Sequence, residues 1–342
     1  MSLIKILTID NRIEWDRTIN RMAFYDFYHT NSYNLYCNNN NSTPILLCFN
    51  DTETEIVMPL IIRPINKTKY LDATSPYGYA GPLSSKNDVT EKTIYAFSHA
   101  LKQFFTEKNI VSGFSRLHPT YHNEFLLKNI GKIQAMNQTV NIDLSQETNI
   151  QRQQYSKGLK YNLNKLLKDG FKIIEDSDKT NINKFIKIYN DNMRRVNAKQ
   201  NYFFDRAYYD MIFNSRDINS KLFFVTKNKL KIAAGIFVFT NNIIQYHLSA
   251  TRVDYLKNSP ISLLIDYIRV YGSENDYKEL HLGGGIGSLK DSLFDFKCSF
   301  SQSRHEFKTW QYIANTEVYN SLVIESKNEK DTCFFPIYRA SE

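Results

Sequence analysis

The same order of strand and helix signals occurs twice along this chain, and that repetition limits the possible folds more than any single residue does. In the first half, residues 44–49 and 55–64 predict β-strands joined by a turn at 50–52, with an extended stretch into 70–74. A helix is expected over residues 90–106, where Ile94, Phe97, Leu101 and Phe104 fall at helical spacing. A strand at 111–117, a short helix at 124–128 and a closing strand at 139–144 complete the set. The second half repeats it: strands at 221–226, 231–240 and 243–250, a helix at 261–271, a strand at 279–282, a helix at 289–296 and final strands. Each half thus predicts a mostly antiparallel mixed sheet flanked by helices, an α/β (α+β) class.

A length of 342 residues agrees with two domains, expected at 1–147 and 148–342. The second would begin with a basic linking helix at 151–168, with Leu159, Leu163, Leu166 and Leu167 on one face and Lys157, Lys160, Lys165 and Lys168 on the other. Two readings of that helix stay open. Its leucines pack on a domain while its lysines are solvated, or its lysines contact phosphate.

Charge leaves the same choice. Lys and Arg exceed Asp and Glu by 43 to 35, a net charge of +8, which fits a polyanionic partner. A compositional bias toward Asn, Lys, Ile, Tyr and Phe gives the same excess. The longest apolar stretch, residues 232–239, is too short for the ~20 residues of a membrane-spanning helix. The first residues show acidic groups and no small-residue cleavage site, so a cytoplasmic location is expected. Cys37, Cys48, Cys298 and Cys333 have neither C-x-x-C nor histidine spacing, so they read as reduced thiols, and no metal site is expected.

Two segments break the regular pattern. Residues 75–85 read SPYGYAGPLSS, a loop in which Gly78 and Gly81 permit positive φ while Pro76 and Pro82 restrict the chain. Tyr77 and Tyr79 offer stacking faces with hydroxyls, so the loop is either a turn with packed aromatics or a substrate wall. Residues 281–300 read HLGGGIGSLKDSLFDFKCSF, a strand running into Gly283, Gly284, Gly285 and Gly287, then a helix ending in Phe296 and Lys297. The glycines lack G-x-G-x-x-G spacing and no G-K-[ST] closes them, although Lys290 lies nearby, so neither a dinucleotide fold nor ATP chemistry is expected.

The element order is similar to that of the GNAT fold, in which an acyl donor sits between splayed central strands. The two segments, together with YHLSA at 246–250 and the stretch 185–204, which looks like the family's helix that opens the second half, resemble FemABX-like proteins over roughly residues 70 to 300. That resemblance implies a tandem pair of GNAT-like domains that move an aminoacyl or acyl group onto an amine. The expected acceptor is a nucleotide- or lipid-linked amino sugar or a peptidoglycan precursor, with roles in cell wall or polysaccharide biosynthesis.

By the same resemblance, Lys297 is expected to stabilise negative charge near the reacting carbonyl or the tRNA end. Chemistry alone offers His247 as a proton acceptor or as a half-buried hydrogen-bonded histidine, and Asp291 as a proton acceptor, an orienting group for Lys297 or a helix cap. The expected substrate contacts are Tyr77, Gly78, Tyr79, Gly81, Tyr246, Ser249, Gly283, Gly284, Gly285 and Phe296. Lys157, Lys160, Arg194 and Arg195 would contact phosphate. No tightly bound cofactor is expected; the donor is aminoacyl-tRNA or acyl-CoA, so tRNA is a possible partner. Residues 251–261 lack the Q/R-x-x-G-x-G/A loop that cradles CoA, and the chain lacks the long charged helical insertion of some bridge enzymes. Two other functions fit: an acyl-CoA-dependent N-acyltransferase, and a non-catalytic module binding RNA or a glycan precursor. Oligomeric state is not readable from the sequence.

Overall fold

The computed structural model describes residues 4–39, 41–285, 291–327 and 334–340. In chain order its elements are β1 (Ile4–Thr8), α1 (Arg12–Asn20), α2 (Asn31–Tyr36), β2 (Thr43–Asn50), β3 (Glu55–Pro64), β4 (Leu71–Thr74), β5 (Leu83–Ser84), α3 (Glu91–Glu107), β6 (Ile110–Arg116) and β7 (Lys132–Asp143). There follow α4 (Thr148–Gln153), α5 (Lys157–Lys168), β8 (Lys172–Glu175), α6 (Ile182–Arg195), α7 (Arg206–Asn214), β9 (Asn219–Lys227), β10 (Leu230–Thr240) and β11 (Ile243–Thr251). The chain closes with α8 (Ile261–Glu274), β12 (Glu279–Gly283), α9 (Ser292–Cys298), β13 (Arg304–Ile313) and α10 (Thr316–Ser326).

Two compact units result, residues 1–136 with 306–342, and residues 137–305. The expected single boundary at 147/148 is therefore corrected. The tail from 306 returns to the first unit, because β13 pairs antiparallel with β6 over Thr309–Ile313 and Trp310 joins that unit's core. Nothing local in the tail's sequence marks which sheet it will join.

In the first unit the sheet order is β1-β2-β3-β4-β6-β13, antiparallel except for the β4–β6 pair. Asp51 tightens the β2–β3 turn by accepting from the Glu53 and Thr54 amides at 2.9 and 2.7 Å. Helix α3 starts at Thr90, whose hydroxyl accepts from the Thr93 amide at 3.2 Å, and buries Ile94, Phe97, Leu101 and Phe104 against the sheet, as its periodicity requires. At ~25 cal/mol per Å² of apolar area removed from water, such a face contributes several kcal/mol.

In the second unit the order is β7-β12-β11-β10-β9-β8, with β11 and β12 parallel and the other neighbours antiparallel. One face carries α5 and α8: Leu159, Leu163, Leu166, Leu264, Ile265 and Ile268 share a core with Val140, Ile244, Leu280 and Leu282. Helix α6 packs on β10 and β11, and α7 packs on β9.

Two expected helices are corrected. The linking helix at 151–168 is two helices, because Ser156 starts a new one by accepting from the Leu159 amide at 3.2 Å. The preceding turn is held instead by buried Arg269, which donates to the Thr148 carbonyl at 2.9 Å and to Gln151 at 3.1 Å. Leu167, expected on the buried face, is 56% exposed. The helical stretch at 185–204 ends at Arg195, followed by Asn197 with φ of 51°, a left-handed residue that no helix continues through. The helix expected at 289–296 is found as α9, with its described part starting at Ser292; Gly287 and Lys290 lie outside the described residues.

Candidate active site

The second unit parts its central strands. Among the described residues, strand β11 pairs with β12 through Ile243–Gln245 against Glu279–His281, whereas β11 itself runs on to Thr251, paired there with β10. Over residues 246–251 one edge of β11 is therefore not met by β12, and backbone groups on such an edge need other partners. Parallel strands that diverge past a short contact make the splay expected from the sequence.

At the end of β12 the chain turns through Gly283, with φ of 78°. A Cβ there would lie 3.3 Å from the Lys297 Nζ, and one at Gly284 would lie 3.1 Å from the Gln138 carbonyl oxygen, so both positions favour glycine by space. Lys297 comes from α9, is only 7% exposed, and donates to the Gly284 carbonyl at 2.6 Å. Burial pulls its pKa from 10.5 to about 8, with the Asp291 carboxylate opposing that fall. The shift corresponds to roughly 3 kcal/mol of preference for the neutral amine. A structural lysine would have been cheaper as a leucine or methionine.

Asp291 caps α9, accepting from the Phe294 amide at 2.9 Å. It thus caps the helix that carries Lys297, and its carboxylate favours the charged form of that lysine. Phe296 is half-buried and packs edge-on against Phe300, with ring centroids 5.3 Å apart. Gly285 is half-buried beyond the turn.

His247 occupies a β-bulge. Ile236 pairs with Leu248 and Phe237 with Tyr246, leaving His247 as the extra residue of β11. Its Nε2 lies 2.5 Å from the Tyr208 hydroxyl of α7, whose start Asp205 caps at 2.9 Å. Phenol and imidazole are therefore directly hydrogen-bonded. Phe204 stacks on Tyr208 at 4.0 Å and holds that phenol in place. Tyr246 is hydrogen-bonded to Ser249, three residues along the same strand, and burial raises its phenol to about 12.

The glycine turn, Lys297 and Asp291 are thus brought together, as are Tyr246 with Ser249. The expected phosphate contacts lie on α5 and on α6, the helix that packs on β10 and β11. Lys157 is exposed at the start of α5, and Lys160 donates to the Gln153 carbonyl at 3.0 Å. Arg194 pairs with Asp191 and Arg195 with Asn192, each at 3.0 Å on the exposed end of α6.

Tyr77, Gly78, Tyr79 and Gly81 belong to the first unit. Gly78 has φ of 102°, and a Cβ there would meet the Tyr28 ring at 2.1 Å. Gly81 has φ of 93°, and its Cβ would meet the Asn123 amide at 2.8 Å. Tyr79 packs edge-on to Tyr28, His118 and Phe307, while Tyr77 is 56% exposed with the Arg116 guanidinium 5.4 Å over its ring. Beneath the loop, fully buried Asp26 accepts from the Phe27 amide at 2.7 Å and meets His118 at 3.1 Å.

The structure adds residues that the sequence did not single out: Tyr208, Gln245, His281 and Asn141. Only strand register brings the last three side by side, Gln245 opposite His281 and His281 opposite Asn141. Burial pushes the Cys37 thiol up to about 11 and the Cys48 thiol up to about 12. Cys333 lies outside the described residues.

Among solved structures, the chain overlays FemX with a TM-score of 0.71 at 12% identity, over 93% of this chain and 99% of that one. L-PGS from Bacillus licheniformis overlays with a TM-score of 0.56 at 12% identity, over 92% of this chain and 95% of that one. A C-terminal domain of a putative lysylphosphatidylglycerol synthetase from Agrobacterium fabrum gives a TM-score of 0.53 at 11% identity, over 92% and 96%. No family model matches the sequence, and no curated protein does. The fold is thus of the mixed α/β class, a large mixed sheet flanked by helices. Within that class it is FemX-like over nearly the whole chain. Among the described residues no helix is long and apolar enough to cross a membrane.

Proposed function

We propose that the chain is an acyltransferase that moves an aminoacyl or acyl group onto an amine of a cell-wall precursor or surface-polysaccharide sugar. The observation that carries this reading is the Lys297 ammonium, buried beside a glycine turn where β11 and β12 part. A cation kept there against its desolvation has work to do on negative charge. The FemX-like fold and the residues 75–85 and 281–300 support the same class.

In the proposed step the acceptor's amine nitrogen forms a bond to the donor's acyl carbon. The carbonyl oxygen becomes an oxyanion stabilised by Lys297, whose ammonium has donors beyond the one given to Gly284. The carbon–oxygen bond of an ester, or the carbon–sulfur bond of a thioester, then breaks, and the proton lost by the amine ends on the leaving oxygen or sulfur. The Tyr208–His247 pair is the proposed relay for that proton. Asp291 orients α9, and Tyr246 with Ser249 lines the open edge of β11. Gly283, Gly284, Gly285 and Phe296 shape the turn, while Tyr77 in its glycine-rich loop is a proposed substrate contact of the first unit taken by itself.

The donor is aminoacyl-tRNA or acyl-CoA, used as a co-substrate. Mass spectrometry of purified protein with charged tRNA or acyl-CoA, each paired with amino-sugar nucleotides and peptidoglycan precursors, tests the reading. A tRNA-dependent mass gain on a precursor places the chain in the aminoacyl branch; a CoA-dependent gain on a sugar makes it an N-acyltransferase. Acceptor binding with no transfer from any donor would favour a binding module instead.

A further inference from the structure

Asn141 is 2% exposed, yet neither atom of its side-chain amide has a hydrogen-bond partner within the protein. Buried polar groups are almost always paired, and an amide that is not is expensive to keep. Its position says which way it faces. Val140 and Ile142 lie in the apolar core shared with α5 and α8, so strand alternation puts Asn141 on the opposite face of the sheet. The same alternation puts His281, flanked by core residues Leu280 and Leu282, and Gln245, next to core residue Ile244, on that face as well.

Register makes these three a row, and each is no more than 2% exposed. Within it, His281 Nδ1 meets the Gln245 amide oxygen at 2.7 Å, and since an amide oxygen only accepts, that nitrogen carries the proton. The row crosses the sheet at the last residue pair of β11 and β12, directly before they part. Two residues along β7, the Thr139 methyl lies 4.0 Å from where a Cβ of Gly284 would stand, so the row borders the turn that Lys297 grips.

The geometry points to Asn141 as a specificity contact at the apex of the parted strands, for an uncharged substrate group that both donates and accepts hydrogen bonds. A sugar hydroxyl and a carboxamide have that chemistry. A phosphate or carboxylate only accepts and would leave the amide oxygen of Asn141 unmet. This assignment rests on the transferase reading, but its test does not need turnover.

The experiment compares the full-length wild type with Asn141→Leu, measuring thermal midpoints alone and with each of two probe sets. One set contains UDP-linked amino sugars and their deoxy analogues; the other contains glutamine and asparagine amides. Asn141→Leu should raise the unliganded midpoint by about 2–4 °C, since it removes an unmatched buried amide from a unit of this size. A probe from one set should raise the wild-type midpoint, and the variant should lose at least half of that rise. The set that acts tells hydroxyl from carboxamide. A fall in the unliganded midpoint of Asn141→Leu would make Asn141 a structural residue satisfied by buried water, and overturn the proposal. An equal rise in both proteins, or no rise from either set, would also overturn it. Silence in the transfer assay with a probe rise that depends on Asn141 would sink the transferase reading while leaving this one standing.

Discussion

The two units share an element order but treat their central parallel strands in opposite ways. In the first, β4 and β6 stay together: Thr74 pairs with Phe114, the Ser75 amide donates to the Phe114 carbonyl at 2.8 Å, and a further bridge joins Ala80 to Leu117. The loop that follows β4 is packed from below by Tyr28, Asn123 and the Asp26–His118 pair. In the second, pairing stops after three residues, a bulge turns His247 toward α7, and a buried lysine stands at the turn. A sheet whose strands stay paired has spent its backbone hydrogen bonds on itself. One that parts them holds donors and acceptors for something else. The account therefore places chemistry in the second unit and order in the first.

The comparison breaks most readily at Lys297. Lys297→Ala should lower transfer by about 10²–10³-fold, the usual cost of removing one donor to an oxyanion. A single-turnover assay reads it, and a loss below tenfold would mean that the buried cation is not used. The pH dependence follows from the same group. Folded Lys297 gives up its proton near pH 8 while the unfolded side chain holds it to about 10.4, so between those values the unfolded state binds more protons. Stability should accordingly rise with pH across that window, by up to roughly 3 kcal/mol, and Lys297→Met should flatten the rise. Transfer should run the other way, falling above pH 8 as the cation is lost.

A smaller effect is expected in the first unit. Asp26→Ala leaves His118 and the Phe27 amide without a buried acceptor and should cost about 1–3 kcal/mol by denaturant unfolding. The folded fraction should keep its KM for the donor; a changed donor KM would place the first unit in the donor site. Tyr208→Phe is the mildest test, with a drop of severalfold in kcat and a moved lower limb of the pH profile. An unchanged profile would remove His247 from the proton path.

Much of this was legible before any coordinates. The periodic helices α3 and α8 and the strands β2, β3, β10 and β11 were readable because their apolar spacing is local. The glycine turn and Lys297 were readable because they lie 13 residues apart in one motif. Features held by distant partners were not. The Asp26–His118 pair spans 92 residues, and Asn141, His281 and Gln245 meet only once the strand register is known. Helices α1 and α2, short and rich in polar residues, gave no periodic signal. The turn before the break at Ser156 is held by Arg269, more than 100 residues away.

Hydrogen exchange with and without donor tests the central claim most directly, with aminoacyl-tRNA and acyl-CoA in separate arms. The account predicts that whichever donor supports transfer slows exchange at amides of residues 246–251 and at the turn after β12, leaving β4 and β6 unchanged. Protection confined to β4, β6 and the loop at 75–85, with none along β11, would contradict it.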